Sequence, residues 1–173
     1  MKIQMNDLRE GPVTLEVNAR AQELDLEDPE FEFTAPVTGT VTFHETSGKV
    51  LAHGSLSTAV LGKCVRCLEP ATAQVTAPVE VLYEHNPELL KPSLELNENE
   101  PEIASYFDGE SIDPKSELRE AILLELPGLP LCSNDCKGLC PDCGANLNIP
   151  DACNCSHQEK STGEWKEQLK KLR

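Results

Sequence analysis

Eight cysteines in tight groups constrain this chain more than any other feature. Two of them form Cys64-Val65-Arg66-Cys67, and the other six lie within residues 132–155. The full set is Cys64, Cys67, Cys132, Cys136, Cys140, Cys143, Cys153 and Cys155. A structural zinc ion takes four ligands at tetrahedral corners, and two residues between paired cysteines let one turn present two sulfurs. The eight thiols therefore predict two zinc ions per chain, each held by four cysteines.

Disulfides are the main alternative for eight thiols, since they are common in short secreted chains. The first eight residues of the sequence contain no apolar core of a signal peptide. No run of about 18 apolar residues predicts a membrane span. We therefore expect a cytoplasmic protein in a reducing compartment, where structural disulfides are rare and bound metal is favoured.

Two further chemistries use cysteines at similar spacings. Cys136-x3-Cys140-x2-Cys143 resembles the cluster motif of radical enzymes that cleave S-adenosylmethionine, but only 30 residues follow Cys143. That is too few for a barrel of about 250 residues, although the sequence does not separate zinc from iron. A thioredoxin-like pair opens a helix after a strand, whereas strand-like sequence resumes soon after Cys67. We interpret Cys64 and Cys67 as a zinc knuckle, with a redox-responsive switch or zinc-dependent enzyme as the alternative.

Alternating apolar residues predict β-strands through the first half of the chain. Strands are expected near 14–19, 37–43, 50–60 and 75–83, with a turn at 46–49. The turns between the later strands are too short for crossover helices, so we expect an antiparallel sheet or a small open barrel. Cys64–Cys67 would lie at the far end of the hairpin formed by the last two strands.

The amino-acid composition changes after the last of these predicted strands. Residues 84–112 contain prolines and a run of acids, which predicts an extended acidic linker, with Tyr106 and Phe107 as candidate anchors to the core. A helix is expected over 113–126, with Asp113 as its N-cap and Pro114 at the first helical position. Its predicted apolar face consists of Leu118, Ala121, Ile122 and Leu124.

A second helix is predicted near the C-terminus by the capping-box pattern Ser161-x-x-Glu164. Trp165, Leu169 and Leu172 would share one side of it. We interpret that side as docking onto the protein's own core, with a partner-binding helix as the alternative. The predicted fold class is therefore α+β: the sheet or barrel, a helix, and a cysteine-rich zinc-binding segment with a terminal helix. We expect a β-rich part over 1–131 and a cysteine-rich part over 132–173, compatible with one packed domain.

Charge divides the chain in the same place. Its net charge is −15, and residues 132–173 contain six acidic and six basic residues, so residues 1–131 carry the whole excess. Phosphate backbones are bound mainly through lysine and arginine. The acidic excess of residues 1–131 therefore does not predict broad nucleic-acid binding. A basic ribosomal protein or another cationic partner suits it better, and acidic excess also maintains solubility.

Two cysteine blocks and the segments between them carry a family resemblance. The first is Cys64-Val-Arg-Cys67-Leu68-Glu69-Pro70, and the second is Cys136-Lys-Gly-Leu-Cys140-Pro-Asp-Cys143-Gly-Ala-Asn-Leu-Asn148. Between them lie Ile112-Asp113-Pro114, Glu125-Leu126-Pro127 and Leu131-Cys132. Over roughly residues 15–172 the chain resembles the bacterial YceD family, the large ribosomal RNA subunit accumulation proteins. The resemblance implies a role in producing or maintaining 23S ribosomal RNA during large-subunit assembly, with the large subunit or a ribosomal protein as partner. It implies no catalytic activity.

The grouping of the eight thiols has two solutions. In the favoured one, Cys140, Cys143, Cys153 and Cys155 close a local site while Cys64 and Cys67 meet Cys132 and Cys136. The alternative joins Cys132 and Cys136 to Cys140 and Cys143, and leaves Cys153 and Cys155 to pair with the distant Cys64 and Cys67. Full thiolate sets leave no open zinc position for a water, which catalytic zinc requires. Since the sequence also has no P-loop, dinucleotide fingerprint or HExxH motif, we predict a protein without catalytic residues.

Overall fold

A computed structural model describes residues 1–86 and 104–155 of the chain. Within them, the α-helices are α1 (Met5–Glu10) and α2 (Lys115–Leu124), and a short 3-10 helix spans Ala21–Leu24. The strands are β1 (Ile3–Gln4), β2 (Val13–Ala19), β3 (Glu32–Phe33), β4 (Val37–Thr46), β5 (Lys49–Lys63), β6 (Pro70–His85), β7 (Ala104–Phe107) and β8 (Ser111–Ile112). No helix among these residues has the length and apolar composition to cross a membrane.

A single sheet dominates the architecture. Its strands lie in the order β2-β4-β5-β6-β7, and β3 pairs with the distal end of β5 on the side occupied by β4. β4 and β5 are joined by the predicted turn, where Ser47 and Gly48 have φ of 55° and 80°. These left-handed values suit a two-residue hairpin loop, whose twist matches that of the strands. β1 and β8 form a separate two-stranded sheet.

The predicted alternation matches the faces of the strands. Val41, Phe43, Val50, Leu56 and Val60 are fully buried on one side of β4 and β5. Leu118 and Ile122 of α2 close the core from the same side, and α2 packs mainly against β6. The mixed α+β class and the four predicted strands are therefore confirmed.

The prediction of an unbroken linker over 84–112 is wrong in two places. β6 continues to His85, and residues 104–112 contain both β7 and β8, where Phe107 is buried in the core. The purely antiparallel sheet is also wrong, because β7 pairs with β6 in parallel. A parallel neighbour needs a connection of about a dozen residues or more, and the segment between β6 and β7 is long enough. Residues 87–103 lie outside the described residues.

The first predicted helix is shorter than expected. α2 begins at Lys115, with Pro114 rather than Asp113 at the N-cap position, and ends at Leu124. The Asp113 carboxylate still accepts a hydrogen bond from the backbone N–H of Lys115, at 3.3 Å. Leu124 does not belong to the buried face, since it is 83% exposed. The predicted C-terminal helix, with Trp165, Leu169 and Leu172, lies outside the described residues.

Candidate metal centres

Two turns with the same backbone design present the paired cysteines. In the first, between β5 and β6, Cys64 N–H donates to the Glu69 carbonyl at 2.8 Å and Leu68 N–H donates to the Cys64 carbonyl at 2.9 Å. In the second, Cys140 N–H donates to the Ala145 carbonyl and Gly144 N–H to the Cys140 carbonyl, both at 2.8 Å. Residues 64–69 and 140–145 are therefore two copies of one knuckle.

The residue after the second cysteine has a left-handed backbone in both knuckles. Its φ is 63° at Leu68 and 73° at Gly144. Glycine adopts this conformation without steric cost, whereas a bulky side chain there is uncommon. The turn needs this backbone to aim both sulfurs of a Cys-x-x-Cys pair to one side, so Leu68 adopts it against its own preference.

The eight sulfurs form two compact sets. One contains Cys64, Cys67, Cys132 and Cys136, and the other contains Cys140, Cys143, Cys153 and Cys155. Within each set the four Sγ atoms lie within 4.8 Å of one another. The structure thus brings together the sets that the sequence favours. We call the first the bridging tetrad, since its members are distant in sequence, and the second the local tetrad.

Measured sulfur separations fit a tetrahedral ion. Sγ–Sγ distances are 3.7 Å for Cys64–Cys136 and 3.5 Å for Cys67–Cys132 in the bridging tetrad. In the local tetrad, Cys143 and Cys153 are separated by 3.8 Å. Four thiolates at Zn–S bonds of about 2.3 Å have tetrahedral edges of about 3.8 Å. All eight cysteines fall within the described residues and are present as thiols rather than disulfides.

Electrostatics within the bridging tetrad also favour a cation. The backbone N–H of Cys132 is the largest influence on Cys64 and lowers its pKa to about 6. The backbone N–H of Glu69 favours the Cys67 thiolate, but burial and hydrogen bonds with neighbouring thiols outweigh it and raise the pKa of Cys67 to about 12. One thiolate therefore forms readily while another keeps its proton unless a cation neutralises the set.

The local tetrad also combines one thiol of lowered pKa with one of raised pKa. The backbone N–H groups of Cys143 and then Asp142 stabilise the Cys140 thiolate and lower its pKa to about 6. Hydrogen bonds with the thiols of Cys143 and Cys153, followed by burial, raise the pKa of Cys155 to about 12. Both donor sets thus suit a thiophilic divalent cation whose binding displaces protons.

The two tetrads differ in burial. Cys64, Cys67 and Cys136 are buried in a small apolar cluster with Ala71, against which Leu131 and Leu139 pack. In the local tetrad only Cys140 is buried, and Cys143 is exposed. The bridging tetrad is consequently mostly buried, with Cys132 as its exposed member, whereas the local tetrad closes a surface loop.

Hydrogen bonds around the bridging tetrad join three stretches of chain. Arg66 Nη1 donates to the Cys136 carbonyl at 2.9 Å, and Leu139 N–H donates to the Arg66 carbonyl at 3.2 Å. Val65 N–H donates to the Pro130 carbonyl at 3.0 Å. The first knuckle is therefore held against the segment that carries Cys132 and Cys136 by its backbone as well as its sulfurs.

Asn148 is a functional candidate that the sequence analysis assigns no role. Its Nδ2 donates to the Cys136 sulfur at 3.3 Å and to Asn146 Oδ1 at 2.8 Å. Its Oδ1 accepts a hydrogen bond from the Lys137 backbone N–H at 2.8 Å. A donor to a ligating sulfur orients it and moderates its charge. The position twelve residues from Cys136 gives no sequence signal, because only the fold of the second knuckle brings the two together.

Replacing Asn148 by aspartate is expected to weaken metal retention at the bridging tetrad by about tenfold, because loss of an outer-shell partner typically costs about 10–100-fold. The substitution removes the donor to Cys136 and puts a negative charge beside the thiolates. Competition with a chromophoric chelator measures the change, with the exposed Asn18→Asp as the charge-matched control. Equal retention in the two variants would contradict a role for the amide.

Histidine is the other common zinc ligand besides cysteine, so His85 and His157 are possible substitutes. His85 lies outside both tetrads, with Nε2 3.2 Å from the Asp108 carbonyl oxygen and its ring against Phe107. His157 lies outside the described residues. Among the described residues, both candidate metal-binding sets consist of cysteines.

Comparison with known proteins gives one family. The family model described as large ribosomal RNA subunit accumulation protein YceD matches residues 52–173. An uncharacterized protein of Mycobacterium leprae (strain TN) is 30% identical over 118 residues, covering 68% of this chain and 52% of the relative. The large ribosomal RNA subunit accumulation protein YCED homolog 1, chloroplastic, of Zea mays is 29% identical over 164 residues, covering 79% of this chain and 56% of the relative.

The homologue of the same name in Arabidopsis thaliana is 40% identical over 52 residues, which is 30% of this chain and 16% of the relative. The chain spans about half the length of the first curated relatives that it matches. No solved structure matches it at a significant level.

Proposed function

Since the chain belongs to the YceD family of large ribosomal RNA subunit accumulation proteins, we propose that it is a non-enzymatic factor in ribosome biogenesis. It supports accumulation or processing of 23S ribosomal RNA and assembly of the large subunit. The observation that carries this proposal is the family match over residues 52–173, which includes all eight cysteines. The name of the Zea mays relative supports the same role.

Within this proposal the tetrads bind two zinc ions, with Cys64, Cys67, Cys132 and Cys136 at one and Cys140, Cys143, Cys153 and Cys155 at the other. The sulfur separations and the soft donor set support zinc at both. When bound, zinc with four thiolates supplies cross-linking rather than an activated water, because no coordination position stays open. The chain's own contribution is to hold the sulfurs, through the knuckles and Asn148, in positions that need little rearrangement.

The sheet and the cysteine-rich part then act as one folding unit rather than two. The bridging tetrad and the contacts of Arg66 with Cys136 and Leu139 cross the predicted boundary between residues 131 and 132. Metal binding at such a site contributes to folding free energy, because the unfolded chain has no preformed set of ligands. This cross-link compensates for a core with few aromatic side chains, which make up 4% of the chain.

The surface charge supports a cationic partner. Residues 23–32 contain six acidic side chains and no basic one. Five of these acids are exposed and Asp28 is half-buried. Such a surface attracts basic proteins and repels phosphate backbones. We infer that the partner is a basic protein of the large subunit or its precursor, met in the cytoplasm, and that RNA is approached through that protein.

The alternative, a switch or enzyme based on Cys64 and Cys67, needs a thiolate that reagents can reach. Cys64 is fully buried and Cys67 is 3% exposed, which favours the structural role. Thiol labelling under native conditions separates the two: the zinc-site proposal expects both cysteines to react only after chelation, and the switch expects rapid labelling without it.

Depleting the protein in the organism that encodes it tests the proposed function. We expect a fall in 23S relative to 16S ribosomal RNA and in large relative to small subunits on sucrose gradients. Restoring the wild-type chain should restore both ratios, and restoring the Cys64→Ser variant should not. Unchanged ratios after complete depletion would overturn the ribosomal role while leaving the metal sites untouched.

A further inference from the structure

A continuous groove runs beside the first knuckle. It consists of two adjoining cavities of about 390 and 430 Å³, which share Glu30, Phe31, Lys63 and Leu68 among their lining residues. Each cavity lies in the size range of ordinary binding pockets. The groove separates β3 and the segment before it from the turn that carries Cys64 and Cys67.

The groove exposes large apolar side chains to solvent. Leu68 is 63% exposed and Val65 is 48% exposed. The Phe31 ring lies over Gly62, where an added Cβ would come within 2.6 Å of the ring. Large apolar side chains clustered on an open concave surface mark an interaction site more often than isolated ones do.

Leu68 occupies a backbone position that favours glycine. Gly144 stands at the equivalent position of the second knuckle, with the same pattern of hydrogen bonds. The backbone geometry of the knuckle therefore does not require leucine at this position. What leucine adds, against its backbone preference, is an apolar side chain in the groove.

The rim of the groove selects the charge of its occupant. Asp28, Glu30 and Glu32 line it, and Lys63 is its one lining cation among the described residues. An occupant that matches the groove has large apolar side chains flanked by lysine or arginine.

We propose that the occupant is the chain's own C-terminal segment, residues 161–173, with Trp165 seated against Leu68. The segment carries Trp165, Leu169 and Leu172 at helical spacing, and it contains four basic and two acidic residues. Its apolar stripe and its charge thus complement the groove. This inference does not depend on the ribosomal role.

The segment follows the local tetrad, whose flanking residues contact the first knuckle. The described chain ends at Cys155, in the local tetrad. Beside this tetrad, Leu139 N–H donates to the Arg66 carbonyl, and Asn146 Nδ2 lies 3.4 Å from Glu69 Oε1. Arg66 and Glu69 flank Cys67 and Leu68 in the sequence. The second knuckle is therefore held against the part of the first knuckle that carries Leu68. The nine residues 156–164 span up to about 30 Å when extended. Tethering also gives the segment a high effective concentration at the groove.

Trp165 makes the proposal directly measurable, because it is the one tryptophan of the chain. We expect its emission in the full-length, metal-loaded protein to be blue-shifted from that of free tryptophan, with quenching by acrylamide several-fold weaker. The Leu68→Gly variant suits the left-handed backbone, so it should keep its metal and its fold. It should nevertheless lose the blue shift and the protection from acrylamide.

Two further variants sharpen the test. Glu30→Lys combined with Glu32→Lys should also expose Trp165, without altering a knuckle. Leu124→Ala removes a still more exposed leucine, at the end of α2, that does not line the groove, and should change nothing. Metal content, measured on each variant, shows that any exposure of Trp165 is not caused by loss of a tetrad.

Three outcomes overturn the proposal. Solvent-like emission from the wild-type chain would mean that the segment does not dock. Protection of Trp165 that persists in Leu68→Gly and in the double charge reversal would place the tryptophan elsewhere on the protein. Protection that disappears on dilution would identify a second copy as the source of the segment.

Discussion

The Cys64→Ser chain is expected to retain one zinc ion instead of two and to melt at least about 10 °C below the wild type. The tetrad that it breaks joins the β5–β6 turn to residues 132 and 136. A cross-link that closes a loop of more than 60 residues removes much conformational freedom from the unfolded chain. For a chain of this size, each kcal/mol lost from the free energy of unfolding lowers the melting temperature by a few degrees. Loss of this cross-link therefore gives the expected drop of at least about 10 °C.

Cys155→Ser is the matched control for that result. It also removes one of eight sulfurs, but its tetrad closes only residues 140–155 and lies largely at the surface. We expect loss of one zinc ion with little change in the melting of the sheet. Elemental analysis and circular dichroism measure both variants. Equal melting temperatures for the two, or two zinc ions in Cys64→Ser, would contradict the distinction between the bridging and local tetrads.

Phe43→Ala is expected to destabilise the fold by about 3–5 kcal/mol, as full truncation of a buried phenylalanine typically does. Phe43 is fully buried in β4, with its ring centroid 6.4 Å from that of Tyr83. Few other aromatic side chains are available to fill the space, and the residues opposite Phe43 on the adjoining strands are the smaller Val13 and Ala52. The loss is a large part of the total stability of about 5–15 kcal/mol that domains possess.

Urea unfolding of the zinc-loaded protein measures this loss as a lower midpoint at unchanged slope. Leu51→Ala is the control, because Leu51 lies on the adjacent strand of the same hairpin but is 40% exposed. We expect the control to change stability by no more than about 0.5 kcal/mol. If the two variants unfolded at the same midpoint, the assignment of the core to this face of the sheet would be wrong.

Strand alternation made most of the sheet predictable. The apolar residues of β4, β5 and β6 recur at every second position, and one face of a sheet is the one arrangement that buries them all. The parallel strand β7 was not predictable, because its four residues are too few to establish a period and its partner is chosen by the connection from β6. The start of α2 shows a similar limit, since Asp113 and Pro114 carry the expected signals and the boundary still moves by one residue.

The spacing of the cysteines in the sequence made the membership of the two sets predictable. Local spacing favours a site over residues 140–155, and the remaining four sulfurs then form the other set. The surroundings of the sulfurs were not predictable in the same way. The contact of Asn148 with Cys136, and the equivalence of Leu68 and Gly144, depend on backbone geometry that residue type alone does not encode.

We propose that this chain folds around two four-cysteine zinc sites, one of which ties the sheet to the cysteine-rich part. Elemental analysis for zinc and iron, combined with native mass spectrometry of the full chain purified without added metal, tests this proposal. We expect two zinc ions per chain and no iron. One zinc ion or none, or a stoichiometric amount of iron, would contradict it.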